Sequence, residues 1–298
     1  MQSENWLSAL KVIIFDMDGT LYQEDSFMDR YIRYMLEATD REHETEAAVA
    51  LGRAILTGEH PVQFGHFYSM QDDALLVRKG DGFAQGLSWD GGILAGPDAG
   101  EPVPDLIHIG DPWCIAAVIG HKYKLSGQKI RQAFERVREE MVQEPYRFEF
   151  RSELVEAIAE LDAVEKKIVM TNTYLASGME FLHYMQIHDS FDAIYCDAEK
   201  PRGIQRLVTE LLQEGYQPHE ILSIGDNPWN DLHPVKQLGG RTCFISPYGS
   251  ADPENWDLRL TTLDELQKLM QDIQAANTRR EFTSGEDRAQ AYQQEVQG

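Results

Sequence analysis

Cysteine is scarce in this chain. Cys114, Cys196 and Cys243 are the only three among 298 residues, and no two have a Cys-x-x-Cys spacing. An odd number without that spacing makes no disulfide framework. Cys196 and Cys243 lie in apolar, strand-like runs and are expected to be buried free thiols. Basic residues are also few: 27 lysines and arginines stand against 50 acids, for a net charge of −23. Such a surface excludes nucleic acid and anionic membrane as natural partners. A phosphorylated ligand would need local attraction from a lysine, a metal ion or helix N-termini. The longest apolar run, residues 114–119, is far too short to cross a bilayer. No basic, long-apolar segment precedes the first strand, and the expected location is the cytoplasm. The nine histidines include no His-Glu-x-x-His pair. No phosphate-binding Walker loop, dinucleotide glycine fingerprint or internal repeat is present.

What is present begins at Val12-Ile13-Ile14-Phe15-Asp16-Met17-Asp18-Gly19-Thr20. Four apolar residues end abruptly in two carboxylates one residue apart, followed by a Gly-Thr turn. The apolar run reads as a strand of a buried parallel sheet. Open α/β sheets bind ligands beyond the carboxyl ends of their strands, so this strand delivers two acids to such a place. At about 4 Å and an effective dielectric near 20, two like charges repel by roughly 4 kcal/mol. A bound cation, or a division of roles between the two acids, resolves that repulsion.

Beyond the first strand the pattern turns helical. Phe27, Tyr31, Tyr34 and Met35 recur at helical spacing, as do Ala48, Leu51, Ile55 and Leu56. Residues 83–105 are rich in glycine and proline, which predicts loops and at most a small hairpin. Another helix is expected over 126–142, with Ile130, Phe134, Val137 and Met141 on one face. From Pro145 onward β and α alternate, with strands ending at Asn172, Cys196, Asp226 and Ile245. Repeated β-α units predict a doubly wound parallel sheet of the α/β class. Residues 1–22 and 146–272 then form one discontinuous core, and 23–145 a mainly helical inserted cap domain. Residues 273–298 are polar and are expected to be a tail without structure. Residues 21–24 and 144–147 are candidate hinges for the cap.

Three further strand ends supply partners for Asp16 and Asp18. Thr171 and Asn172 end one strand, where a hydroxyl and backbone N–H groups can hold phosphate oxygens. Lys200 follows the next and can offset the charge of a phosphate and of a carboxylate nucleophile. Asp226 and Asp231 lie in Gly225-Asp226-Asn227-Pro228-Trp229-Asn230-Asp231. Two carboxylates on a turn entering a helix suit a hard, octahedral cation, Mg²⁺.

In this order, Asp16-x-Asp18-Gly19-Thr20, Thr171, Lys200 and Gly225-Asp226…Asp231 resemble the four signature motifs of the haloacid dehalogenase-like superfamily. The match covers residues 11–22 and 146–250. The place of the insertion resembles the subfamily of phosphoglycolate phosphatase, β-phosphoglucomutase and pyrimidine 5′-nucleotidases. The resemblance implies a Mg²⁺-dependent phosphatase of a small phosphorylated metabolite, such as a nucleotide or sugar phosphate. Asp16 would be the nucleophile that becomes an aspartyl-phosphate. Asp18 would be the general acid and then the general base. Mg²⁺ would be held by Asp16, the backbone carbonyl of Asp18 and Asp226, with Asp231 bound directly or through water. Thr171, Asn172 and Lys200 would bind the transferred group.

Two other functions remain compatible with the sequence. A phosphomutase would need an acid–base group from the insertion, for which His60, His66, Arg78 and Lys79 are conceivable. A non-catalytic binding protein on the same fold is the third, though it would have no need for every carboxylate. A second Gly-Asp stretch, Ile107-His108-Ile109-Gly110-Asp111-Pro112-Trp113, imitates the later loop. It precedes the Thr171 and Lys200 motifs, and Ala116 stands five beyond Asp111, so it is not read as the metal loop.

Overall fold

The computed structural model describes residues 6–80, 82–97, 105–252 and 256–296. Strand β1 (Val12–Phe15) is buried along its whole length. Its β-branched and aromatic side chains suit a strand covered on both faces. The chain then leaves this sheet. Helices α1 (Phe27–Leu36) and α2 (Thr45–Leu56) each bury one side, α1 through Tyr31, Ile32 and Met35. Five short strands follow: β2 (Phe67–Ser69), β3 (Ala74–Lys79), β4 (Gly82–Leu87), β5 (Ile93–Leu94) and β6 (Leu106–His108). They form an antiparallel sheet in the order β5-β4-β3-β2-β6. Helices α3 (Pro112–Lys122) and α4 (Gly127–Glu140) complete the insertion, and α1 packs against α2, α3 and α4.

The helices of the insertion agree with the periodicity of the sequence. The sheet goes beyond it: the hairpin anticipated within 83–105 is the β4–β5 pair of a larger antiparallel sheet. Strands of two to six residues are too short to display a period of two above noise. Residues 98–104 of that stretch lie outside the described residues.

The chain then returns to the first sheet through α5 (Ser152–Ala159), β7 (Lys166–Met170), α6 (Leu175–Tyr184), β8 (Ala193–Tyr195) and α7 (Arg202–Gln213). Next come β9 (Ile221–Gly225), a π-helical turn over Pro228–Leu232, α8 (His233–Gln237), β10 (Arg241–Ile245), β11 (Leu258–Leu260) and α9 (Leu263–Val296). The six strands are parallel, in the order β11-β10-β9-β1-β7-β8. Alternate side chains of β1 serve opposite faces: Ile13 and Phe15 join one core, Val12 and Ile14 the other with Ile204 and Val208 of α7. This is the doubly wound arrangement expected from the sequence. It places the carboxyl ends of β1, β7, β8 and β9 along one edge.

Two expectations change. The backbone is helical to Val296, so residues 273–296 are not a tail without structure. Ile273 is buried, and Asn277 donates from Nδ2 to the carbonyl of Leu7, so an apolar stripe continues past the expected end. Cys196 is only half-buried, unlike Cys243, because β8 is the edge strand; all three thiols are free. Among the described residues no helix is long and apolar enough to cross a membrane.

Candidate active site

Asp16 is the first residue after β1, and its N–H donates to the carbonyl of Ile224 at 2.9 Å. The β-sheet ladder therefore fixes where its carboxylate begins. Thr171 follows β7 directly, and its N–H donates to the carbonyl of Tyr195 at 2.9 Å. Asp226 follows β9, and Asp231 lies on the π-helical turn beyond it. Gly19 has φ +80°, and a Cβ there would run into the Asp226 carboxylate. The glycine thus lets the loop after β1 and the loop after β9 close on one another.

Three carboxylates meet as a result. Asp16, Asp226 and Asp231 each offer an oxygen within 4.8 Å of the others, and all three residues are buried. Lys200 reaches in from beyond β8, and its Nζ lies 2.6 Å from both Asp16 Oδ1 and Asp231 Oδ1. Thr20 Oγ1 donates to Asp16 Oδ2 at 3.2 Å. One ammonium against three acids leaves an excess of negative charge in a desolvated place. Burial pushes the Asp16 carboxyl up to about 8 against the pull of Lys200, with Asp231 and Asp18 adding repulsion. Burial also raises Asp226, reinforced by Asp111, Asp16 and Asp231, and raises Asp231 in spite of Lys200. Burial opposes the charge on Lys200, but Asp16 and Asp231 outweigh it and hold the lysine protonated.

Asp18 is kept apart from this cluster. Its carboxylate is paired with the guanidinium of Arg138 from α4, whose side chain is 2% exposed, and accepts from the hydroxyl of Tyr22. It also accepts from Thr173 Oγ1 at 2.9 Å and from Thr171 Oγ1 at 3.4 Å. Burial works against the ionised form, yet Arg138 and the hydrogen bonds from Tyr22 and Thr173 hold this carboxyl below the usual range. Arg138 is itself fixed, donating from Nε to Ser177 Oγ at 2.8 Å, with its guanidinium carbon 3.5 Å from the centroid of the Phe181 ring. Neighbouring acids two residues apart thus occupy opposite electrostatic settings.

A family model described as haloacid dehalogenase-like hydrolase matches residues 10–239. The chain belongs to this family. No curated protein matches it in a sequence search. Solved structures with a similar fold include a candidate phosphatase from Clostridium difficile, at 14% identity and TM-score 0.49, covering 88% of this chain and 98% of that one. A magnesium-bound candidate hydrolase, YfnB from Bacillus subtilis, is 14% identical with TM-score 0.45 over 88% and 98% of the two chains. L-2-haloacid dehalogenase from Xanthobacter autotrophicus is 14% identical with TM-score 0.46 over the same shares, 88% and 98%. Likenesses of this strength bear on neither activity nor substrate.

In this haloacid dehalogenase-like hydrolase, the seven residues expected to form the site line one cavity: Asp16, Asp18, Thr171, Asn172, Lys200, Asp226 and Asp231. Asn172 does so in an unexpected way. Its Oδ1 accepts from the N–H of Lys200 at 2.7 Å and its Nδ2 donates to the Lys200 carbonyl at 3.4 Å, so the amide sets the lysine's position. Among the described residues, His60, His66, Arg78 and Lys79 are not part of the lining. The opposite wall comes from the insertion, including Asp111, Trp113 and Phe134. Asp111 caps α3 by accepting from the N–H of Cys114 at 2.7 Å, and accepts from Asn227 Nδ2 at 2.8 Å. Asn227 Oδ1 pairs with His108 Nδ1 at 2.8 Å, and His108 Nε2 with Asp252 Oδ2 at 3.0 Å.

Sequence reasoning passed over Thr173, Tyr22, Arg138 and Asn227. Arg138 carried a readable signal. It lies at helical spacing from Phe134 and Met141, a charge on an otherwise apolar stripe, which implies a buried partner.

Proposed function

We propose that this chain is a Mg²⁺-dependent phosphatase of a small phosphorylated metabolite, working through an aspartyl-phosphate on Asp16. The observation that carries the reading is the separation of Asp18 from the Asp16–Asp226–Asp231 cluster. Removing a halide asks for no acid at that position. Transferring a phosphoryl group asks for a nucleophile, a charge-neutralised pocket and a separate proton carrier.

The donor set fits Mg²⁺. Hard carboxylate oxygens from three residues lie close enough to share one ion, and burial without it leaves them overcharged. Asp16, Asp226 and Asp231 would hold it, together with the backbone carbonyl of Asp18. When bound, the ion supplies neutralisation of the negative oxygens of the transferring group.

The chain's own residues do the rest. An Asp16 oxygen attacks phosphorus while the ester P–O bond breaks; Asp18, ionised in the resting site, takes up the proton of the substrate's monoanionic phosphate and gives it to the departing oxygen. Asp18, again a carboxylate, then takes a proton from water. That water attacks the phosphorus, releasing phosphate and restoring Asp16. Arg138 and Thr173 aim the Asp18 carboxylate throughout. Lys200 and the hydroxyl of Thr171 bind the phosphoryl oxygens, and Asn172 keeps Lys200 in place. The insertion closes over the site as a cap and excludes water during the first transfer.

Phosphate release from p-nitrophenyl phosphate tests the reading. Turnover is expected with Mg²⁺ and is lost in excess EDTA and in Asp16→Asn. Full turnover in either condition would refute it.

A further inference from the structure

The insertion's wall of the cavity is made of rings. Tyr31 of α1, Trp113 of α3 and Phe134 of α4 all line it. They form one assembly: the centroids of Trp113 and Phe134 are 5.1 Å apart at 61°, and Tyr31 lies 6.0 Å from each. Their positions are fixed from behind. Trp113 stacks on the buried Phe27 at 3.7 Å and 16°, and Phe134 stands edge-on to Tyr174 at 89°. Rings immobilised in this way cost little further ordering when a ligand packs against them.

Charge is distributed just as unevenly. Among the described residues lining the cavity, Lys200 is the single basic one, and it is already shared by Asp16 and Asp231. The wall that carries the rings adds a further carboxyl group, that of Asp111. A phosphoryl group has Lys200 and the proposed ion to meet it. A second anionic group on the same ligand has no counter-charge and would face carboxylates. At about 230 Å³, the cavity is below the roughly 300–1,000 Å³ of pockets that take drug-sized ligands.

We infer that the carbon part of the substrate carries one flat, uncharged ring seated among Tyr31, Trp113 and Phe134, and no acidic group besides its phosphate. The inference rests on the phosphatase reading and narrows its substrate class. Offset or edge-to-face contact with the three rings supplies the recognition. Exclusion of a second anion supplies the discrimination.

Three phosphate esters with comparable primary-alcohol leaving groups test it: benzyl, cyclohexylmethyl and 4-carboxybenzyl phosphate. With Mg²⁺, kcat/KM for the benzyl ester is expected to exceed that for the cyclohexylmethyl ester by roughly threefold to tenfold. It is expected to exceed that for the carboxylated ester by at least about tenfold. Phe134→Leu should bring the first ratio close to one. Kd values for the three corresponding phosphonates, which cannot be hydrolysed, should fall in the same order. Equal or reversed preference in wild-type kcat/KM or Kd overturns the inference, whether or not the variant folds. Preferential binding of the benzyl phosphonate without turnover of any ester would leave the ring site standing and remove the phosphatase. Neither binding nor turnover overturns both.

Discussion

Two loops in this chain begin with nearly the same words. Ile109-Gly110-Asp111-Pro112-Trp113 enters α3 in the insertion, and Ile224-Gly225-Asp226-Asn227-Pro228-Trp229 leaves β9 in the parallel sheet. They meet across the cavity, joined by the hydrogen bond from Asn227 Nδ2 to Asp111 Oδ2. Their aspartates nevertheless have different work. Asp111 spends its carboxylate on the first turn of α3 and on Asn227. Asp226 points into a cluster of acids, where burial and its neighbours raise its proton affinity. A Gly-Asp pair running into Pro-Trp therefore has no fixed meaning. What decides is whether other strand ends bring charges to the same point.

The sharpest way to break this comparison is to neutralise each aspartate in turn. Asp226→Asn is expected to lower phosphatase kcat/KM by at least about a hundredfold. Asp111→Asn, which keeps a side-chain oxygen for the α3 cap, should stay within about tenfold. Comparable losses in steady-state assays would mean that the loops are functional equals.

A smaller effect is expected from the preceding glycines. A Cβ at Gly225 would collide with the Asp231 side chain, whereas one at Gly110 would collide with that of Asn227. Both alanine variants should lose about 1–3 kcal/mol in denaturant unfolding. Only Gly225→Ala should also weaken Mg²⁺ binding, because it displaces a carboxylate of the cluster.

Cutting the link between the loops comes next. Asn227→Leu leaves His108 Nδ1 and the Asp111 carboxylate without their partner. The expected cost is about 1–2 kcal/mol of stability, read as a lower urea midpoint at unchanged slope.

The last effect concerns pH. Asp16 binds its proton more tightly folded, at about 8, than at its ordinary value of 3.8. The folded state therefore holds the extra proton between those values, and the metal-free protein loses stability as pH rises through that window. The loss is complete above about 8. Thermal scans should show a Tm lower by a few degrees at pH 9 than at pH 6 without metal. Saturating Mg²⁺ should remove most of the difference.

Five of the six strands of the parallel sheet were legible in the sequence because each carries an apolar run ending in a polar turn; β11, Leu258-Arg259-Leu260, is interrupted by a charge and was not anticipated. Asp16, Thr171, Lys200 and Asp226 could be placed together for the same reason, since parallel strands share one carboxyl edge. The antiparallel sheet was not legible. Leu106–His108 pairs with Phe67–Ser69 across more than thirty residues, and neither strand alternates long enough to be seen. Arg138 was partly hidden. Its place on the α4 stripe was visible, but its partner Asp18 lies 120 positions away and only tertiary structure supplies it. Asn172 was assigned to phosphate from its position, whereas its side chain holds the backbone of Lys200.

Calorimetric titration of metal-free protein with Mg²⁺ addresses the convergence of the acids most directly. One ion per chain is expected, bound at least about tenfold more weakly by Asp226→Asn and Asp231→Asn. Asp18→Asn should bind close to the native protein, since only its backbone carbonyl is asked to contribute. Absence of binding, or equal affinity in Asp226→Asn, would contradict a shared cation at the end of β1.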